Sequence, residues 1–178
     1  MELDQKKLDA CLFFSVWDLF SIHRHKVTQE EVEEYYNNYE KEKGRTASSI
    51  MSLCEYTSTH PIQGMKAQAV CLYNRAYKNQ SNFFKQEPAI QDSLKIHKGL
   101  LLNLRTQTPT LPIRDGYLTY LGEGFKESHH AVVLTHSDKY TNDWSIENWW
   151  EDLHEFKIKT KDLQELAQSI YNINFKPL

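Results

Sequence analysis

The stretch that decides the interpretation of this chain is LDQKKLDACLFFSVWDLF, residues 3 to 20. After Cys11 it is apolar on nearly every side of a helix, which predicts a helix in the middle of the fold. Asp9 is a candidate N-cap, and a helix that begins there carries Cys11 in its first turn. In the alternative, one helix runs unbroken from Leu3 and Cys11 is an ordinary packing residue.

Composition limits the classes of partner. The chain has 178 residues, 40% of them hydrophobic and 25% charged, which predicts a single globular domain over residues 1–178. The net charge of -3 does not indicate the excess of positive charge that is typical of nucleic-acid-binding proteins. No apolar run approaches the roughly 20 residues of a membrane span, and no signal peptide is recognised. We therefore expect a protein or peptide partner and a cytoplasmic location.

Residues 1–99 have mainly helical patterns. Thr28 is a predicted N-cap with Glu31 in the capping-box position, and Gly44 ends that helix. A third helix is predicted over residues 46–56, and a fifth runs from near Pro88 to Gly99. The fourth begins at Pro61, with these residues at helical spacing: Ile62, Met65, Ala69, Leu72 and Tyr73.

Residues 100–178 are predicted to be rich in β-structure. YLTYL (117–121) and HAVVLTH (130–136) have the composition of strands, and GEGFKES (122–128) between them can close a hairpin. KYTNDW (139–144) adds a third strand, and residues 159–173 a closing amphipathic helix. Helices followed by antiparallel strands indicate an α+β fold.

The aromatic segment DWSIENWW, residues 143 to 150, has two interpretations. If Ser145 caps a helix, Trp149 and Leu153 face the core together. Tryptophans are also enriched at partner interfaces. We favour the core interpretation.

Several residues have the side chains that thiol chemistry needs. Cys11 in a first helical turn gains from the helix dipole, and the side-chain amide of Gln5 can donate to an oxyanion. His130 opens a strand on which an imidazole is held firmly. Asn142 and Asp143 follow 12 and 13 residues later, so that a neighbouring strand can bring one of them back to the ring. We favour Asp143, because a carboxylate stabilises an imidazolium better than an amide does.

Metal and disulfide chemistry are disfavoured. The three cysteines are odd in number and lack metal-type spacing, and Cys54 and Cys71 have the apolar neighbours of core residues. His23 and His25 suit a solvated helix end, where positive charge is favourable. No paired metal-ligand motif is present, and no cofactor is implied.

Four short motifs in this order resemble the papain-like cysteine peptidase superfamily. In that superfamily a glutamine precedes the nucleophile by about six residues, as Gln5 precedes Cys11. CLFFS at residues 11–15 is similar to its C-W-A-F-S, and HAVVL from His130 to its H-A-V. NDW at residues 142–144 is similar to its N-S-W and N-D-P.

The resemblance covers roughly residues 5–32 and 117–150. In size the chain is similar to the bacteriocin-processing peptidases and to papain-like bacterial effector proteases. One departure is that Cys11 lacks the neighbouring glycine usual in the family, since Ala10 and Leu12 flank it.

The resemblance implies a papain-like fold with a central nucleophile helix and a C-terminal antiparallel sheet. It also implies a thiol hydrolase of amide bonds, which includes protease, deamidase and acyl-transferase activities. The site would be Cys11, His130 and Asp143 or Asn142, with Gln5 at the oxyanion. By analogy with the effector proteases, the protein would be a bacterial effector that is delivered into a host cell. The alternative is a non-catalytic protein-binding module, immunity-like or chaperone-like, on an α+β fold.

Overall fold

The computed structural model describes residues 9–23, 25–47, 49–108, 110–123, 128–150 and 152–178. These residues form five helices and one eight-stranded sheet, so the α+β class predicted from the sequence is confirmed. The helices are α1 (Cys11–Ile22), α2 (Gln29–Lys43), α3 (Ile50–Thr59), α4 (Phe83–His97) and α5 (Thr160–Leu166). The first four strands are β1 (Met65–Asn74), β2 (Leu100–Thr106), β3 (Ile113–Arg114) and β4 (Tyr117–Leu118). The others are β5 (Ser128–Asp138), β6 (Asp143–Trp150), β7 (Leu153–Lys159) and β8 (Ala167–Pro177).

The strands follow the order β1-β8-β2-β5-β6-β7-β4-β3 across the sheet. Neighbours pair antiparallel except β4 and β7, which are parallel. Because β8 lies between β1 and β2, the last strand of the chain joins the first strand to the rest of the sheet.

Two hydrophobic cores lie on the two faces of the sheet. Helices α1, α2 and α3 pack on one face, which includes Leu101, Ala131 and Val133. Helices α4 and α5 pack on the other, which includes Val132 and Leu134. Strand β5 therefore contributes alternate residues to the two cores, as a strand covered on both faces must.

Helix α1 begins at Cys11 and is central, as its apolar sequence predicts. Its residues from Leu12 to Phe20 are all buried. The N-cap is Ala10 rather than Asp9, and no side chain caps the helix. The amide of Phe14 donates to the carbonyl of Ala10 at 3.0 Å, which is the first hydrogen bond of the helix. Residues 9 and 10 are not helical, so the described chain does not continue the helix toward Leu3.

Helix α2 agrees with its sequence signals. Thr28 and Glu31 form both bonds of the capping box, and Gly44 ends the helix with φ of 70°. Such a φ falls in the left-handed region, which glycine adopts without a steric penalty.

The helix predicted from Pro61 is wrong, because residues 65–74 form strand β1. A tight turn at Gln63 and Gly64, with φ of 46° and 81°, separates Ile62 from the strand. Helix α3 covers the outer edge of β1: Thr57 Oγ1 accepts from the amide of Ala67 at 2.9 Å. Edge amides that are bonded in this way cannot pair with another chain.

The closing helix is also shorter than predicted, because α5 ends at Leu166 and strand β8 follows. The guanidinium of Arg75 donates to the carbonyls of Gln164 and Glu165, at 2.6 and 2.8 Å, and to that of Ala167 at 3.2 Å. It thus satisfies carbonyls that a continuing helix would have bonded itself.

The predicted hairpin between residues 117–121 and 130–136 is wrong as well. Strand β4 pairs with β3 and β7, whereas β5 pairs with β2 and β6. Residues 139–142 form the β5–β6 turn, and Ser145 lies within strand β6 rather than at a helix cap. In the part of the chain that the structure describes, none of the helices combines the length and the hydropathy of a transmembrane span.

Candidate active site

Cys11 occupies the first position of α1 and faces strand β5. Its thiol is half-buried, and its Sγ accepts a hydrogen bond from the amide of Ala131 at 3.5 Å. Burial raises the pKa of the thiol above its usual value, and the Ala131 amide opposes that rise. The amides of Leu12 and of Cys11 itself, at the start of the helix, also oppose it. The resting group is therefore a neutral thiol near several backbone donors.

His130 is held by Asn148, the neighbour that determines its tautomer. The Nε2 of His130 lies 2.6 Å from the Oδ1 of Asn148. The orientation of that amide follows from its other end, because Asn148 Nδ2 donates to the carbonyl of Leu153 at 2.9 Å. Since Oδ1 only accepts, Nε2 carries the proton and Nδ1 of the neutral ring carries the lone pair.

Trp150 covers the ring of His130. The two rings stack with centroids 4.8 Å apart and an interplanar angle of 25°. Only 6% of His130 is exposed. Burial lowers the pKa of the imidazole, and the bond to Asn148 partly opposes that effect, so the ring is neutral at neutral pH.

The thiol contacts β5 at the residue that follows His130. The thiol contacts the backbone of Ala131, which directly follows His130. Side chains of consecutive strand residues leave on opposite faces, and Ala131 belongs to the core that contains α1. Within the described residues no hydrogen bond joins the thiol to the imidazole.

Asp143 and Asn142 do not reach His130, which corrects the expected third site residue. Asp143 pairs with Asp138, at the other end of β5 from His130. Its carboxylate lies 2.6 Å from Lys159 Nζ and accepts from the hydroxyl of Tyr117 at 2.8 Å. Those two donors lower the pKa of Asp143. The group is thus part of an ion pair between strands rather than a partner of the imidazole.

The neighbour of His130 that the sequence interpretation did not name is Asn148. The β5–β6 pairing places Val133 opposite Glu147, so residues near 148–150 return to His130. The sequence did contain a signal, the segment NWW at residues 148–150. Its asparagine and its second tryptophan match the first and third positions of the N-S-W pattern. Gln5 lies outside the described residues, and its role at an oxyanion stays a prediction.

A polar stripe follows Cys11 along the buried side of α1. Ser15 Oγ donates to the carbonyl of Cys11 at 2.8 Å and accepts from Trp149 Nε1 at 2.9 Å. Asp18 lies one turn further and is 7% exposed. Burial, a hydrogen bond to Glu147 and the charge of Glu147 raise the pKa of Asp18 to about 9. The carboxyl is therefore protonated at neutral pH.

Within the described residues the other cysteines and the histidines form no second site of this kind. Cys54 is buried as predicted, and Cys71 is half-buried against the same core. Among the residues that the structure describes, no group of three or more histidine, cysteine, aspartate or glutamate side chains is arranged to hold a metal ion.

Comparison with known proteins adds no family to this geometry. No protein-family model matches the chain, and no curated protein sequence matches it. The arrangement of Cys11, His130 and Asn148 is therefore the ground on which a function is proposed.

Proposed function

We propose that the protein is a papain-like thiol hydrolase of amide bonds in proteins or peptides. Cys11 is the nucleophile, His130 the general base and Asn148 the group that orients His130. The observation that carries the proposal is the fixed tautomer of His130, whose Nε2 donates to Asn148 Oδ1 over 2.6 Å. This bond leaves the basic Nδ1 for proton transfer, next along the chain from the amide that contacts the thiol.

The resting pair consists of a neutral thiol and a neutral imidazole, because burial disfavours the charged form of each. The proton of Cys11 therefore passes to His130 Nδ1 as the sulfur attacks the amide carbonyl. The S–C bond forms, the C–N bond then breaks, and His130 returns the proton to the leaving amine. Attack on the thioester by water gives a protease or deamidase, and attack by an amine gives an acyl-transferase.

The start of α1 supplies a donor for the oxyanion. Backbone amides of the first turn have no partner within the helix and point along its positive end. In this proposal the amide of Cys11 binds the oxyanion, and Gln5 is the predicted second donor.

The alternative function is a non-catalytic protein-binding module. Three observations favour it. The thiol is bonded to a backbone amide rather than to His130, and burial raises its pKa. His130 also pairs with Leu104, a residue of the core on the face opposite to α1. In such a module the bonds of His130 would serve only packing, and Cys11 would react as an ordinary buried thiol.

Alkylation of Cys11 by iodoacetamide distinguishes the two functions without a known substrate. The rate is followed at pH 7.5 by mass spectrometry of the peptide that contains Cys11. This readout separates the alkylation of Cys11 from that of Cys54 and Cys71. If His130 is the base, His130→Ala slows the reaction by about tenfold or more. The matched control is His136→Ala, an exposed histidine on the same strand, which leaves the rate unchanged. Equal rates for the wild type and His130→Ala would overturn the proposal in favour of the binding module.

A further inference from the structure

Trp149 lies between the two residues that hold His130. Asn148 is hydrogen-bonded to the imidazole and Trp150 stacks on it, and Trp149 stands between them in β6. It belongs to the core that contains α1 and Ala131, and only 2% of it is exposed. Consecutive residues of β6 therefore contact the imidazole and pack in the core that contains the nucleophile helix.

The indole N–H of Trp149 joins α1 to β5. It donates to Ser15 Oγ at 2.9 Å and to the carbonyl of Ala131 at 3.1 Å. Ser15 in turn donates to the carbonyl of Cys11 at 2.8 Å. The indole is thus connected to the backbone of the nucleophile through one hydroxyl.

Ala131 completes a closed set of hydrogen bonds. Its carbonyl accepts from Trp149, and its amide donates to the sulfur of Cys11 at 3.5 Å. Both polar backbone groups of this one residue are therefore used, one by the indole and one by the thiol. A shift of the Ala131 backbone would change the contact with the sulfur.

We propose that Trp149 is a positioning residue, which through Ser15 and Ala131 sets the thiol of Cys11 against strand β5. Its consequence for turnover rests on the proposed function, whereas its effect on the thiol is a property of the folded protein alone. The one N–H group of the indole bonds both to Ser15 in α1 and to Ala131 in β5. Without that donor the Ala131 amide no longer keeps its hydrogen bond to the sulfur. The thiolate then loses the backbone bond that most lowers its pKa.

The test is the pH dependence of Cys11 alkylation in Trp149→Phe, with Trp144→Phe as the matched control. Trp144 lies on the same strand, is 1% exposed and also uses its indole N–H, which donates to Thr160 Oγ1 at 2.9 Å. Both variants lose a buried indole, but only one loses the contact with Ser15 and Ala131. We expect the apparent pKa of Cys11 to rise by about half a unit or more in Trp149→Phe, a fall of about threefold in thiolate at a given pH. In Trp144→Phe it stays as in the wild type.

An unchanged or lower apparent pKa in Trp149→Phe would overturn the proposal, since a lower value means only that Cys11 has become more exposed. If Trp149→Phe does not fold, Ser15→Ala removes one of the two acceptors, and the same upward shift is expected from it. The outcome is separable from that of the proposed function. If His130→Ala leaves the alkylation rate unchanged while Trp149→Phe shifts the pKa, hydrolysis fails and the role of Trp149 stands.

Discussion

Asn148 binds His130 through its carbonyl end, with Oδ1 2.6 Å from Nε2, while its amide end donates to the carbonyl of Leu153. This relationship fixes both the rotation of the imidazole and the position of its proton. An imidazole with the opposite tautomer would leave two acceptors facing each other in a buried site. The site therefore requires a hydrogen-bond acceptor at position 148 as strictly as it requires an imidazole at position 130.

Replacement of Asn148 by alanine is expected to slow the alkylation of Cys11 at pH 7.5 by about tenfold. The imidazole then loses the partner that holds Nδ1 as the basic nitrogen, and its buried Nε2–H loses an acceptor. The lost acceptor alone destabilises the fold by about 1–3 kcal/mol, which denaturant unfolding measures.

Asn142→Gly is the matched control for Asn148→Ala. Asn142 has φ of 58°, which glycine adopts freely, and it lies in the β5–β6 turn. We expect this variant to react like the wild type. A loss in Asn142→Gly that equals the loss in Asn148→Ala would contradict the assignment of Asn148.

The buried carboxyl of Asp18 is expected to make stability fall as the pH rises. Its pKa is raised to about 9 in the folded protein, whereas an unfolded aspartate titrates near 3.9. The folded state therefore holds a proton that the unfolded state releases, and stability decreases between about pH 4 and pH 9. Asp18→Asn keeps the shape and removes the titration, so its Tm exceeds that of the wild type by several degrees at pH 8 but not at pH 4.

Asp92 on α4 is exposed and offers a control for this measurement. Asp92→Asn should give the same Tm profile against pH as the wild type. If Asp18→Asn had the wild-type Tm at pH 8, the carboxyl of Asp18 would be ionised in the folded protein, contrary to its burial beside Glu147.

Asp143 is expected to have the opposite pH dependence. Lys159 and Tyr117 donate to it and lower its pKa, so the ionised form is favoured in the folded state. Stability from this group is present above the pKa of an unfolded aspartate and is lost as the pH falls through the lowered value. Asp143→Asn should lower the Tm at pH 7, and the difference from the wild type should shrink toward pH 3. A deficit that is the same at both pH values would point to shape rather than charge.

Local sequence signals predicted α2 and the central position of α1 well, because both depend on residues a few positions apart. Thr28 and Glu31 bond each other across three residues, and Gly44 supplies its own left-handed turn. The apolar run after Cys11 needs only burial on all sides to become a central helix. Such features are the same in any fold that buries the segment.

The strand β1 was mistaken for a helix because its partner lies far along the chain. Ile62, Met65 and Ala69 have a spacing that suits a helix, yet β8, about a hundred residues later, pairs with the segment. The hydrogen-bond partner of His130 was missed for a similar reason. The distance from His130 to its partner depends on where the β5–β6 turn closes and on the irregular pairing between Leu134 and His136. Residue spacing alone does not contain this register.

The last prediction concerns the end of α5, where the guanidinium of Arg75 binds backbone carbonyls about ninety residues later in the chain. Arg75→Met keeps the length of the side chain but removes the guanidinium bonds to the carbonyls of Gln164 and Ala167. It also removes one of the two bonds to the carbonyl of Glu165, which accepts from Arg105 as well. Bonds from a charged donor contribute about 1.5–3 kcal/mol, so we expect a loss of about that size in the free energy of unfolding. Arg114→Met, at an exposed arginine of β3, should change it by less than about 0.5 kcal/mol. Equal effects of the two substitutions would mean that α5 ends through its own sequence and not through Arg75.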